Sequence, residues 1–364
     1  MMRSFTPKTT SELELPPAPI ADFRSGRPNW RPRVGIMGVG GVTRYAHMPH
    51  YRRFGVEVVA LFDNDAAKLA AAVAALPSPP AVATNDLGEF LRAAPALDLV
   101  DIATPSETHY AVTRPLVDVV ERTALLVQKP LATTVDDARS LVAAAEKKDI
   151  TLAVNVNARW VATFAKLREL VAQGSVGPPF FISIVNRGLN VKRPDEWRAG
   201  LGRLIIAEMA VHYLDWLVWT FGRPSRVYGR TRTIPGAGVR GDNLAVVTFD
   251  WTSGLLGSMT QDWCCVDTSA WTYHPAGEAI LIEGPEGAIQ ATPRELRLTR
   301  HDEATIWKTS ESWFPDAFAG PIAETLAHAH GGKALSISGR QHIDVLELVD
   351  AVYASARSGE SVVL

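Results

Sequence analysis

Short apolar runs alternate with amphipathic stretches between residue 33 and about residue 152. The runs rich in β-branched residues cover 34–37, 56–62, 97–103 and 125–128, and each predicts a strand. Residues 42–54 have helical apolar spacing, and Thr133 and Thr134, followed by acidic residues, mark the start of a helix that runs to Lys148. Strands that alternate with helices in this way predict a doubly wound parallel sheet covered by crossover helices.

The pattern changes after residue 152. Apolar spacing predicts helices at 160–173 and 203–221, and two closing helices at 313–330 and 341–357. Strands with no helix between them are predicted at 227–231, 245–251, 254–260, 278–284, 288–292 and 295–299. Such a series predicts an α+β domain with an open, mainly antiparallel sheet backed by helices. We therefore expect a dinucleotide-binding domain at 32–152 and a substrate-binding and oligomerisation domain at 153–364.

Residues 1–31 lack this periodicity. Five prolines separated by polar residues interrupt the segment, which predicts a disordered or extended arm. The arm has no apolar core of a secretory signal, and no apolar run in the chain reaches the roughly eighteen residues of a membrane span. Cys264 and Cys265 are adjacent, which suits neither a disulfide framework nor a metal site. A cytoplasmic location is therefore expected.

Charge narrows the class of partner. The formal net charge is −2, and no block of like charges stands out. This balance favours neither nucleic acid nor a membrane surface as a partner. We expect a small-molecule ligand and no metal.

The stretch RVGIMGVGGVTRYAH, at residues 33–47, turns from a strand into a helix. Gly38 permits a tight turn, and Gly40 lets a pyrophosphate approach the backbone at the helix N-terminus. Glycines close turns in every fold, so this pair is weak evidence by itself. Asp63 ends the second strand, where a carboxylate accepts both ribose hydroxyls of NAD and repels the extra phosphate of NADP. NAD is therefore favoured, and the nearby Lys68 leaves NADP open.

Several motifs in order along the chain resemble the glucose-fructose oxidoreductase / inositol dehydrogenase (Gfo/Idh/MocA) family. They are GIMGVGG, Asp63, ATPSETH, QKP, AVNVNARW, the pair Trp197 and Arg198, EMAVHYLD, and the closing segment from ISGRQH onward. The resemblance covers nearly the whole chain after residue 32. It implies a Rossmann domain followed by an α+β domain, with the substrate between the two and a homodimer or homotetramer formed through the other face of the second sheet.

The resemblance also implies site residues. Lys129 and His212 match the family's residues around the carbon that exchanges hydride, and Glu208, one helical turn before His212, is the third candidate catalytic residue. Cofactor contacts are expected from Gly38, Gly40, Gly41, Val42, Asp63, Thr104, Pro105, His109, Gln128 and Lys129. Substrate contacts are expected from Asn157, Arg159, Trp197, Arg198 and Asp215. For His212 a buried helix contact is the alternative, and for Glu208 and Asp215 a structural role is an equal alternative. For Arg159, Trp197 and Arg198 the alternative is a packing or surface role.

The chain departs from the family pattern at sites that bear on chemistry. Thr43 replaces the third glycine, Gln128 replaces the usual Glu before the lysine, and Glu208 replaces the usual Asp. Because Gln128 carries no charge, we hypothesise that Lys129 gives up its proton more readily than in typical relatives. The longer side chain of Glu208 shifts its carboxylate by about one methylene, and displacements of that order change rates.

Together these features predict an NAD(P)-dependent oxidoreductase that moves a hydride between nicotinamide and a secondary alcohol or ketone of a sugar, cyclitol or related polyol. Two alternatives stay open. One is an enzyme that uses bound NAD transiently, for net hydrolysis or epimerisation. The other is a non-catalytic nucleotide-binding sensor.

Overall fold

The computed structural model describes residues 9–265, 277–329, 331 and 334–364. The strands, in chain order, are β1 (Thr9–Glu14), β2 (Arg33–Met37), β3 (Glu57–Phe62), β4 (Val82–Thr84), β5 (Leu99–Ile102), β6 (Ala124–Gln128), β7 (Leu152–Asn155), β8 (Phe181–Arg187), β9 (Arg226–Arg232), β10 (Leu244–Asp250), β11 (Leu256–Asp262), β12 (Glu278–Gly284), β13 (Gly287–Ala291), β14 (Glu295–Arg300), β15 (Glu303–Lys308) and β16 (Val362–Val363).

The α-helices are α1 (Met48–Arg53), α2 (Ala66–Ala75), α3 (Leu87–Ala93), α4 (His109–Val119), α5 (Val135–Lys147), α6 (Ala162–Ala172), α7 (Val211–Phe221), α8 (Ala319–Ala329) and α9 (Gly339–Ser358). Two of them continue directly from π-helical turns, at Thr43–His47 before α1 and at Ile205–Ala210 before α7. π turns are rare and occur frequently at functional sites. Both of these turns carry residues of the candidate site.

The chain forms two compact units. The first comprises residues 19–157 and 314–346, and the second comprises residues 9–18, 158–265, 277–313 and 347–364 of the described chain.

The first unit is built on a six-stranded sheet in the order β4-β3-β2-β5-β6-β7. All its strand pairs are parallel. Every residue of β5, of β6 and of the edge strand β7 is buried, as expected for a parallel sheet covered on both faces. The predicted doubly wound parallel sheet is confirmed. Of the two threonines predicted at the start of α5, Thr134 is the cap, and its side chain accepts the Asp137 N–H.

Residues 314–346 return to this first unit, although the sequence pattern assigns them to the second domain. α8 packs on β6 and β7, and Ser338 forms an isolated antiparallel bridge with Ala153 of β7. The guanidinium of Arg340 forms an ion pair with Glu146 of α5. The buried side of α8 therefore completes the covering of the parallel sheet. Residue 330, the end of the predicted helix, lies outside the described residues.

The second unit contains a ten-stranded sheet among its described residues, in the order β1-β15-β14-β13-β12-β8-β11-β10-β9-β16. Its pairs are antiparallel except β1 with β15 and β11 with β8. Buried and partly exposed positions alternate along β8, β11 and β12, which predicts one face packed on helices. The predicted open, mainly antiparallel sheet is confirmed.

Two parts of the N-terminal segment are ordered by specific contacts. Residues 9–14 add β1 to the edge of the ten-stranded sheet, parallel to β15, with all six residues exposed. In the first unit, the Arg24 guanidinium donates to the carbonyls of Trp30, Phe54 and Gly55. The first eight residues of the predicted arm lie outside the described residues.

None of the helices in the described part of the chain combines the length and hydropathy that crossing a bilayer requires.

Candidate active site

The glycine turn between β2 and the first π turn has the geometry of a nucleotide-binding turn. Gly38 has a φ of +86°, and a Cβ there would lie 2.6 Å from the backbone nitrogen of Thr104. Only glycine fits that position. A Cβ on Gly40 or Gly41 would meet nothing within 4 Å, so the backbone before the helix is open to a ligand. Thr43, buried in the π turn, donates its hydroxyl to Gly38 O at 2.6 Å and so braces the turn.

Asp63 joins this turn to the end of β3. Its Oδ2 accepts the Val39 N–H at 2.8 Å, and its Oδ1 accepts the Asp65 N–H at 2.9 Å. Each carboxylate oxygen has two acceptor sites, so each keeps one for a further donor. Val42 precedes the π turn. The carboxylate is thus a brace for the glycine turn that keeps acceptor sites on both of its oxygens.

The turns after β5 and β6 are tied together by one histidine. His109 Nδ1 lies 2.6 Å from Pro130 O, and its Nε2 lies 2.9 Å from Thr104 O. Pro105 stands between β5 and α4, and the Lys129–Pro130 peptide is cis. Carbonyl oxygens only accept, so His109 makes both hydrogen bonds when both ring nitrogens carry hydrogen.

A buried network that the sequence did not predict reaches Gln128. Tyr51 Oη donates to Asp101 Oδ2 at 2.7 Å, and His47 Nδ1 lies 2.7 Å from the same oxygen. The other ring nitrogen of His47 lies 2.9 Å from Gln128 Nε2. Burial and the Asp101 carboxylate raise the pKa of the Tyr51 phenol, so Tyr51 stays a donor. The sequence did carry one signal for this network: Asp101 lies inside the apolar run LDLVDIA, and a buried carboxylate needs hydrogen-bond partners.

Lys129 and two asparagines lie at the carboxyl ends of β6 and β7. Lys129 is buried, and Gln128 pairs in register with Asn155. The side-chain amides of Asn155 and Asn157 are buried and have no hydrogen-bond partner among the described residues. Buried amides without partners are uncommon, and ligands or waters usually satisfy them. Asn157 was predicted for the site, whereas Asn155 was not.

In the second unit, Glu208 and His212 come from the π turn and from the first turn of α7. Glu208 is buried and accepts from Arg198 Nε at 3.3 Å. His212 is buried against Trp313, which the sequence did not assign to the site. The π turn therefore places the Glu208 carboxylate next to the Arg198 guanidinium, and α7 places the His212 imidazole against the Trp313 indole.

Arg159 and Asp215 form a bidentate ion pair. Arg159 Nε and a terminal nitrogen each lie 2.7 Å from one carboxylate oxygen of Asp215, and the side chains are 5% and 2% exposed. The guanidinium also lies 5.1 Å from the ring centre of Trp219. The structure thus brings together two residues predicted to contact substrate.

Trp197 and Arg198 stack, with the guanidinium 4.2 Å from the ring centre. Lys192 lies nearby, 3.6 Å from Glu196 and 5.4 Å from the ring centre of Trp263. Burial, with a smaller contribution from Arg198, lowers the pKa of Lys192. This cationic group flanks Glu208.

The residues of the first unit fit a dinucleotide. Gly40 and Gly41 leave open backbone before the π turn. Asp63 keeps acceptor sites next to that turn. The open backbone fits a pyrophosphate, and the carboxylate fits a ribose diol.

Comparison with known families gives two matches. Residues 32–156 match the model of the Gfo/Idh/MocA oxidoreductase family with an NAD-binding Rossmann fold. Residues 164–290 match the Gfo/Idh/MocA C-terminal domain. Together the matches cover all six strands of the parallel sheet and the part of the ten-stranded sheet from β8 to β12.

Similar proteins include characterised dehydrogenases. The chain is 29% identical over 346 residues to a D-apiose dehydrogenase of Paraburkholderia graminis, covering 90% of this chain and 88% of the relative. It is 25% identical to an inositol 2-dehydrogenase of Rubrobacter xylanophilus, covering 90% and 91%. An Agrobacterium radiobacter oxidoreductase solved with NAD+, L-tartaric acid and magnesium has the same fold, with a TM-score of 0.80, 22% identity and coverage of 92% and 98%.

Proposed function

The chain belongs to the Gfo/Idh/MocA oxidoreductase family, and from that premise we propose that it oxidises a secondary alcohol of a sugar, cyclitol or related polyol with NAD(P), or reduces the matching ketone. The chain is an NAD(P)-dependent oxidoreductase. The relatives that act on D-apiose and inositol support a polyhydroxylated substrate.

The observation that carries the proposal is the hydrogen bond between Asp63 and the glycine turn. The carboxylate accepts the Val39 N–H at 2.8 Å, so the acceptor for the ribose and the backbone for the phosphates are held in one piece. This arrangement favours NAD over NADP, because a second negative group beside Asp63 would be repelled.

Bound NAD supplies the hydride acceptor when an alcohol is oxidised. His212 takes the hydroxyl proton as general base, a contribution of roughly 10² to 10⁴ in rate for a well-placed group. Lys129, buried at the end of β6, is proposed to aid this proton transfer by stabilising negative charge that develops on the substrate. Glu208, held by Arg198, orients the substrate edge near His212. In the reverse direction His212 returns the proton.

Asn157, Arg159, Trp197, Arg198 and Asp215 form the proposed substrate contacts. Asp215 fixes the Arg159 guanidinium through two hydrogen bonds, so the donors that remain on Arg159 have a set direction. Planar guanidinium and indole groups suit the hydroxyl edge and the C–H face of a sugar ring. We also place the enzyme in the cytoplasm, as a homodimer or homotetramer.

The test begins with calorimetric titration of the purified protein with NAD and with NADP, after mass spectrometry for carried-over nucleotide. A panel of polyols and keto sugars, including D-apiose and myo-inositol, is then screened for NADH formation. Lys129→Met and His212→Ala should abolish turnover and leave NAD affinity nearly unchanged. Full turnover in either variant would remove that residue from the mechanism. Tightly held nucleotide with product but no net NADH would replace the proposal with transient redox chemistry.

A further inference from the structure

Buried imidazoles hold the chain on both sides of Lys129. Gln128 Nε2 lies 2.9 Å from His47 Nε2, and Pro130 O lies 2.6 Å from His109 Nδ1. The two histidines are 0% and 1% exposed. The residues that precede and follow Lys129 are therefore both fixed by side chains that lie under the protein surface.

The hydrogen-bond partners of His47 determine which of its ring nitrogens carries a hydrogen. Tyr51 Oη donates to Asp101 Oδ2, and a carboxylate only accepts, so His47 Nδ1 carries the hydrogen of its 2.7 Å contact with that oxygen. His47 Nε2 faces the amide nitrogen of Gln128, which only donates. That contact requires a lone pair on Nε2. The hydrogen bonds therefore select the neutral imidazole with its hydrogen on Nδ1.

A glutamate at position 128 would reverse this selection. Its carboxylate only accepts, so contact with His47 Nε2 would require a hydrogen there, and the ring would become an imidazolium. The summed charge of Asp101, His47 and residue 128 would stay at −1, because the added proton on His47 balances the new carboxylate, but a negative group would then stand directly beside Lys129. Gln128 has the same length as a glutamate but lets His47 stay neutral and places no carboxylate beside Lys129.

We propose that His47 is a positioning residue for Lys129, acting as a neutral imidazole that Asp101 orients and that holds Gln128. The ring is 0% exposed, and its effect on Lys129 passes through Gln128. It fixes the end of β6, and with it the direction in which the Lys129 side chain leaves the backbone. Only the assignment of Lys129 to the reaction rests on the proposed function.

The protonation state is tested by ¹⁵N NMR of protein labelled at its nine histidines. The His47 signals are identified by their loss in His47→Gln. At pH 7 the wild type should show a protonated Nδ1 and an unprotonated Nε2 for His47, and Gln128→Glu should show both nitrogens protonated. An imidazolium in the wild type, or a neutral ring in Gln128→Glu, would overturn the proposal. This result does not depend on knowing the substrate.

The positioning role is tested with a matched pair of variants. In His47→Asn the amide reaches the place of Nδ1 and keeps Asp101 paired, but contact with Gln128 is lost. In His47→Gln the amide reaches the place of Nε2 and keeps Gln128, but contact with Asp101 is lost.

We expect His47→Asn to lower kcat on the order of 10- to 100-fold, with KM and NAD affinity within about twofold of wild type. His47→Gln should retain most of kcat and lower the thermal midpoint instead. Equal kcat in the two variants would contradict positioning through Gln128. If the wild type itself turned over no substrate, the proposed function would have failed, and the NMR spectra would still decide the state of His47.

Discussion

The imidazole of His212 lies edge-on to the indole of Trp313, with ring centroids 5.6 Å apart and planes at 89°. Trp313 also contacts Phe164 and Tyr213, at centroid distances of 5.5 and 5.7 Å. Perpendicular aromatic contacts of this kind favour one ring orientation. Trp313 therefore sets the plane in which His212 presents its ring nitrogens.

Replacing Trp313 should separate this role from simple packing. Trp313→Ala should lower the free energy of unfolding by about 3–5 kcal/mol and kcat by on the order of a hundredfold. Trp313→Phe keeps an aromatic edge and should restore much of kcat. Trp251, buried between Phe221 and Phe249, provides the control. If Trp251→Phe lowered kcat as much as Trp313→Phe, orientation of His212 would not be the cause.

The ion pair of Arg159 with Asp215 predicts a large cost when one partner is removed. Asp215→Ala leaves a buried guanidinium without its carboxylate, which should cost about 3–5 kcal/mol in unfolding free energy. The double variant Arg159→Met with Asp215→Leu should recover most of that stability and none of the activity. Chemical denaturation and steady-state kinetics measure the two effects. Activity in the double variant would show that the pair has no part in substrate binding.

The two hydrogen bonds of Asp63 predict that replacing it changes both the affinity for NAD and the preference for NAD over NADP. Asp63→Ala removes acceptors for the ribose and frees the Val39 N–H, so NAD affinity should fall about tenfold or more. Affinity for NADP should fall less, because the repelling carboxylate is gone.

Asp65→Asn is the matched control for Asp63→Ala. Asp65 caps α2 through the N–H groups of Ala67 and Lys68, and asparagine is an equally good cap. Calorimetry should find NAD affinity unchanged in this variant. An equal loss in both variants would assign the effect to the β3–α2 connection as a whole.

The sequence allowed most of the fold to be predicted because burial leaves a periodic pattern. β5, β6 and β7 are buried along their whole length and mainly apolar, with Asp101, Gln128 and Asn155 as the polar exceptions, whereas β10 and β12 alternate because one face is more exposed. β1 has the polar sequence TTSELE with every residue exposed, so only its pairing with β15 makes it a strand. No local pattern encodes that pairing.

The glycine turn could be predicted from the sequence because its backbone conformation requires one residue type. Gly38 takes a positive φ against Thr104, and that need is visible in the strand–glycine–helix order. The partner of Thr43 was not predictable, because a hydroxyl bonded to Gly38 O depends on the π turn. His212 and Trp313 are 101 positions apart in sequence. Their contact could not be predicted, because helix and strand periodicity relate only residues that are close in sequence.

His50 predicts how stability changes with pH in the first unit. Its ring is buried, its Nε2 lies 3.0 Å from Pro315 O, and burial lowers the pKa of its imidazole below 6.5. The folded state therefore binds fewer protons than the unfolded state below about pH 6.5, so this histidine contributes stability at neutral pH that is lost as the pH falls. His50→Gln keeps a donor for Pro315 O and has no proton to gain. Denaturation midpoints at pH 5, 6, 7 and 8 should fall more steeply toward acid for wild type than for His50→Gln, and parallel curves would exclude His50 as a source of the acid loss.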